Sequence, residues 1–177
     1  MLDKNVLSEL KLFQDVVPEK LEKIARESEV IQFKRGEMVF RQDEPAINVY
    51  FVLDGEVELN LNFKDMVLKA DIRYEESNFS KFEYMEKPIV VDTVSPGEIF
   101  GWSALLGSAI ETSNARCSED SRLVSISAAG LKDLFQTDPS LGYVIMFGIS
   151  EVISQRLRNR TDKLIEAWGQ AFGTSEI

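Results

Sequence analysis

Histidine is missing from this sequence altogether, and cysteine occurs once, as Cys117. Without histidine there is no Ser-His-Asp or Cys-His dyad and no histidine-ligated metal. Nor is there a side chain that ordinarily titrates near neutrality for general-base work. A single cysteine forms neither an intrachain disulfide nor a cysteine metal cluster. Cys117 reads as a small apolar residue on a strand rather than a reactive thiol. Long apolar runs are lacking, so no segment approaches membrane-spanning length, and no basic-then-apolar leader follows Met1. Together these absences point to a cytoplasmic, non-enzymatic protein that uses no cofactor. Basic residues are also in short supply: 20 Lys and Arg stand against 30 Asp and Glu, a net charge of −10. That excess repels phosphate backbones and anionic lipid surfaces, so neither direct nucleic-acid binding nor membrane binding is expected. The local basic patch Arg156, Arg158, Arg160 and Lys163 reads as a solvated helix face near a C-terminus, where cations suit the dipole.

What is present suits one globular domain. The 177 residues include 44% apolar and 28% charged side chains, enough to bury a core without disulfides. Leu7, Leu10, Phe13 and Val17 recur at helical steps, and Pro18 sits where a second helix can begin. From Val30 the period changes. Ile31 and Phe33 alternate with polar residues, Met38-Val39-Phe40 follows, and Val49 to Leu53 is an apolar run suited to a strand buried on both faces. Asp54-Gly55 is a hairpin signal, and Val57, Leu59 and Leu61 mark a half-buried strand after it. Residues 62–88 mix charges with aromatics and read as a long hairpin or flap. Ile89 to Val94 and Arg122 to Ser127 are further strands. Ser127 and Asp138-Pro139 then cap two helices. The last helix is long, with Leu141, Ile145, Ile149, Val152, Ile153, Leu157, Leu164, Ile165 and Trp168 along its apolar stripe. The expected class is α+β. An antiparallel β-roll (a double-stranded β-helix or jelly roll) at 30–127 carries the extended hairpin 62–88. Helices at 1–29 precede it, and helices at 128–177, including the long one, follow it.

The segment richest in chemistry is Pro96-Gly97-Glu98-Ile99-Phe100-Gly101-Trp102-Ser103-Ala104-Leu105-Leu106. A glycine before a short helical piece lets backbone N–H groups converge on one spot. With Lys34-Arg35-Gly36-Glu37, the run ending in Asp54-Gly55-Glu56-Val57, and Ala115-Arg116-Cys117, this segment resembles the cyclic nucleotide-binding domain of the catabolite activator protein and of kinase regulatory subunits. The resemblance spans roughly residues 10 to 165 and implies a regulatory β-roll with a ligand pocket beside the Phe-Gly turn.

In that family a glutamate after the turn holds the ribose 2′-hydroxyl, and an arginine about nine residues later pairs with the cyclic phosphate. The resemblance places Trp102 at the glutamate position and Glu111 at the arginine position. A close ion pair is worth roughly 4 kcal/mol at an effective dielectric near 20. A micromolar ligand has only about 8 kcal/mol to lose. Reversing that charge therefore implies weak or absent binding of cyclic AMP and cyclic GMP. The expected small-molecule site is Phe100, Gly101, Trp102, Ser103, Ala104, Leu105, Glu111, Thr112 and Ser113, with no catalytic residue and no metal ligand. Arg116 is a scaffold position by the resemblance and a replacement anchor only if it reaches the pocket. Asp43 stands where relatives often have glycine, and aspartate tolerates the left-handed conformation. The chain ends soon after the long helix, which leaves no room for a helix-turn-helix, so a stand-alone sensor is expected. Homodimerisation through that helix is expected too. Two further readings stay open: true cyclic-nucleotide binding with rearranged contacts, and a structural interaction module using residues 62–88. A cupin-like enzyme would call for histidine ligands that this chain does not have.

Overall fold

Residues 2–70, 80–107 and 109–173 are described by the computed structural model. Two four-stranded antiparallel sheets face each other. One has the order β1 (Ser28–Phe33), β8 (Ser121–Ser127), β3 (Asn48–Asp54) and β6 (Ile99–Phe100). The other has β2 (Met38–Phe40), β7 (Asn114–Cys117), β4 (Val57–Ala70) and β5 (Ser80–Val94). Consecutive strands mostly lie in opposite sheets, so the chain coils as a roll. Helices α1 (Lys4–Ser8) and α2 (Pro18–Arg26) precede it, and α3 (Ala128–Thr137) and α4 (Pro139–Phe172) follow.

The apolar patterns account for two buried clusters. Between the sheets lie Val52, Val57, Leu59, Val94, Phe100, Ala115, Cys117 and Leu123, with Phe40 and Tyr50 at the margin. The other face of β3 and β8, through Val49, Phe51, Val124 and Ile126, packs on the helices through Leu7, Leu10, Phe13, Ile24, Leu131, Leu141, Ile145 and Ile149. This second contact explains why β3 and β8 read as nearly continuous apolar runs: each is covered on both faces. Cys117 is fully buried, and burial pushes its thiol pKa up, which suits an inert packing role.

Three local expectations are revised. The N-terminal helix is broken: α1 ends at Ser8 and a 3₁₀ turn occupies Lys11–Phe13. Phe13 and Val16 are buried, and Val17 faces outward. Asp54-Gly55 is not a hairpin, since β3 and β4 belong to different sheets. It is the corner where the chain crosses between them. Gly55 has φ 86°, and a Cβ there would lie 2.4 Å from Ser121 Oγ and 2.5 Å from the Asp120 carbonyl, so only glycine fits. β1 begins at Ser28, slightly before the change of period at Val30. The stripe on α4 is buried in its first half, Ile149 included. Leu157, Leu164, Ile165 and Trp168 are exposed because the helix outruns the roll.

The capping expectations match the atoms. Ser127 accepts from the Gly130 N–H at 3.2 Å, and Asp138 accepts from the Leu141 N–H at 3.1 Å ahead of Pro139. Asp43 has φ 68°, the left-handed conformation that aspartate tolerates. β4 and β5 pair from Val57–Val94 out to Ala70–Ser80, and β7 accompanies them only as far as Asn60. Beyond that point the two form the arm expected from residues 62–88, though 71–79 lie outside the described residues. Among the described residues no helix is long and apolar enough to cross a membrane.

Candidate functional site

Gly101 sets the geometry of the site. Its φ of 73° turns the chain from β6 into the 3₁₀ turn Trp102–Leu105. A Cβ at this position would lie 2.9 Å from the Tyr50 ring and 3.1 Å from the Asn48 carbonyl. Tyr50 in turn stacks on Phe100 at 5.3 Å and meets Phe40 at 5.9 Å, a rigid aromatic floor. The Ala104 N–H, one of the donors that the sequence places at this turn, is taken by the Gly101 carbonyl at 3.3 Å.

The facing wall is residues 109–113, strapped to the turn at 43–46 by backbone bonds. Ala46 donates to the Ala109 carbonyl at 2.8 Å, Glu111 to the Glu44 carbonyl at 2.9 Å, and Asp43 to the Glu111 carbonyl at 2.9 Å. Held in this way, Glu111 is only 3% exposed. Burial, with the neighbouring Glu44 second, pushes its carboxyl pKa up to about 7. Its charge near neutral pH is therefore conditional.

Gly101, Trp102, Ser103, Glu111, Thr112 and Ser113 line one cavity of about 250 Å³, floored by Phe40 and Leu59. Of the other expected site residues, Phe100 and Ala104 are buried in the core and Leu105 packs against it. None of these three lines the cavity. Arg116 is exposed on β7 and does not reach the cavity either.

The cavity's fourth wall comes from α4: Ile153, Arg156, Leu157 and Arg160. Here the reading of the basic patch as a solvated face is corrected. Arg158, Arg160 and Lys163 are exposed, but Arg156 is 8% exposed. Its guanidinium lies over the Trp102 ring at 4.7 Å, its Nη2 donates to the Ile99 carbonyl at 2.7 Å, and its Nε lies 3.2 Å from Asp92 Oδ2. Its Nη1 is buried with no hydrogen-bond partner, and Asp92 Oδ2 receives no well-aligned hydrogen bond. Burial lowers the arginine's pKa, while Asp92 and Glu98 oppose the change and keep it charged. In the sequence this residue is one of four cations on a helix that also carries Glu151, Asp162 and Glu166. The available signal was its place two turns past Ile149 and one past Val152, at the edge of the buried stripe. On its other side Arg156 borders a groove of about 680 Å³ among the Lys11–Phe13 turn, the roll and α4. The stacked pair Tyr143 and Phe147 forms part of that groove.

The family model for the cyclic nucleotide-binding domain matches residues 79–138. Over 141 residues the chain is 26% identical to a Rhodopseudomonas palustris protein named as a potassium channel, covering 79% of this chain and 28% of that one. It is 20% identical over 161 residues to a CRP-like cAMP-activated global transcriptional regulator of Mycobacterium tuberculosis, covering 91% of this chain and 61% of that one. The chain thus spans less than two thirds of either curated relative. Among solved structures, a Geobacter metallireducens protein named for cyclic nucleotide binding superposes with TM-score 0.68 at 27% identity, covering 89% of this chain and 99% of that one. The chain thus has the β-roll fold of cyclic nucleotide-binding domains and is similar to that family over the matched residues 79–138.

Proposed function

We propose that this domain is a non-enzymatic, cytoplasmic sensor whose pocket has lost ordinary cyclic-nucleotide binding and reports its occupant through α4. The carrying observation is Glu111, buried in the cavity wall where the resemblance expects the phosphate-binding arginine. A phosphate placed there meets a carboxyl that is ionised above about pH 7. It also finds the indole of Trp102, a single donor, where a ribose needs an acceptor. Any occupant touches both the roll and α4, so its binding energy differs between positions of the helix. That differential contact is what shifts a conformational equilibrium.

The exposed residues Leu157, Leu164 and Trp168 support a homodimer through α4. They recur at near-heptad spacing, the pattern of a helix pair. Calorimetry with cyclic AMP and cyclic GMP near pH 7.5, beside sedimentation of the same sample, tests both halves. The expected result is no saturable heat and a dimer mass. Micromolar binding of either nucleotide would overturn the sensor reading, and a monomer at all concentrations would overturn the pairing.

A second reading, true nucleotide binding with rearranged contacts, draws support from Arg156 and Arg160 at the same cavity. It expects that micromolar binding, weakened in Arg156→Gln.

A further inference from the structure

We propose that the cavity between the 101–103 turn and α4 takes a compact organic acid, one carboxylate on an apolar body, gripped by Arg156 of the helix and by no cation of the roll. This deepens the sensor reading above and rests on it.

A guanidinium carries five N–H donors. In Arg156 the Nε faces Asp92 and one Nη2 hydrogen goes to the Ile99 carbonyl. Three donors remain, and two of them belong to the buried Nη1, which has no partner. Leaving such donors unmet is costly in a folded protein. A carboxylate is the planar acceptor that matches a guanidinium edge. The walls match the rest of such a molecule. Phe40, Leu59, Ile153, Leu157 and the Trp102 ring are apolar, and about 250 Å³ admits a ligand smaller than most drug-sized compounds.

Charge selects a monoanion over a phosphate dianion. The ionisable groups lining the cavity are Arg156 and Arg160 from α4 and Glu111 from the opposite wall. Glu44 lies behind Glu111, and the Tyr50 hydroxyl, held neutral by burial, is near it. Asp92 already takes up part of the charge of Arg156. Arg156 and Arg160 together outweigh Asp92 by one positive charge, which a ligand can neutralise when Glu111 holds its proton. A neutral Glu111 also offers its own O–H. Binding thus favours the protonated carboxyl. A group with a pKa near 7 is about nine-tenths protonated at pH 6 and about one-tenth at pH 8, so affinity falls roughly tenfold across that span.

The test follows the indole N–H resonances of Trp102 and Trp168 while phenylacetate, phenylacetamide, inorganic phosphate or cyclic AMP is titrated at pH 6 and pH 8. Phenylacetate is expected to shift Trp102 and leave Trp168 unmoved, about tenfold more tightly at pH 6, and phenylacetamide is expected to shift neither. Glu111→Gln should bind phenylacetate equally at both pH values, and Arg156→Gln should not bind it. Equal binding of acid and amide, or unchanged binding by a folded Arg156→Gln, overturns the proposal. If Arg156→Gln does not fold, Glu111→Gln decides, because a surviving tenfold pH dependence also overturns it. Binding of phosphate without phenylacetate refutes the carboxylate class. Silence from all four probes refutes the organic acid but leaves the sensor reading standing. Cyclic AMP binding in place of phenylacetate refutes both.

Discussion

Replacing Glu111 by glutamine should stabilise this protein at alkaline pH and do little at acid pH. In the unfolded chain the carboxyl ionises near its ordinary 4.5, whereas burial and Glu44 hold the proton in the folded chain up to about 7. Between those values the native state binds more protons than the unfolded one. Stability therefore falls as pH rises through the window and levels off above it. At about 1.4 kcal/mol per pH unit, the penalty at pH 8 is bounded near 3 kcal/mol. The carboxyl borders a cavity that can admit water, so about 2 kcal/mol is a fairer figure. Glutamine keeps the shape and carries no charge. For a chain of this size 1 kcal/mol moves the melting temperature by about 2–4 °C, so the variant should melt roughly 4–8 °C higher at pH 8. Near pH 4.5 the two proteins should melt within about 2 °C of each other. Thermal melts of wild type and variant at both pH values decide the matter. A pH-independent difference, or a destabilised variant at pH 8, would refute a buried carboxyl with a raised pKa and with it the electrostatic account of the cavity.

Two other substitutions probe the frame around the site. Arg156→Ala leaves the half-buried Asp92 without its cation and strips the Trp102 face, so chemical denaturation should show a loss of about 3 kcal/mol; adding Asp92→Asn should restore a good part of it. Gly55→Ala forces a Cβ against Ser121 and Asp120 at φ 86°, and its melt should report a loss above about 2 kcal/mol, well beyond an ordinary surface change.

A good deal was legible before any coordinates. Apolar alternation located the strands, and the long run at Val49 to Leu53 marked a strand covered on both sides. Ser127, Asp138 and Pro139 announced the starts of α3 and α4 because capping depends on a few adjacent atoms. The Phe-Gly turn was identifiable as one part of a possible site from its own short pattern, and residues 111–113 as the other part from the family resemblance. What they had in common was not local. Asp54-Gly55 reads as a hairpin from its own preferences, yet it serves as a corner, because partner choice belongs to strands far apart in sequence.

Arg156 makes the same point at the cavity. From sequence it is one of several cations on a long amphipathic helix, set apart from Arg158 and Arg160 only by its place at the edge of the apolar stripe. Only the packing of α4 across β5 and β6 brings it against Asp92, Ile99 and Trp102 and buries it there. The sequence by itself determined the class of fold, the caps, the net acidity and the absence of histidine chemistry, all of which rest on neighbours within a few residues or on composition. The tertiary structure alone decided which charge is buried and what faces it. Desolvation and pairing act through space, between groups that lie tens of residues apart along the chain.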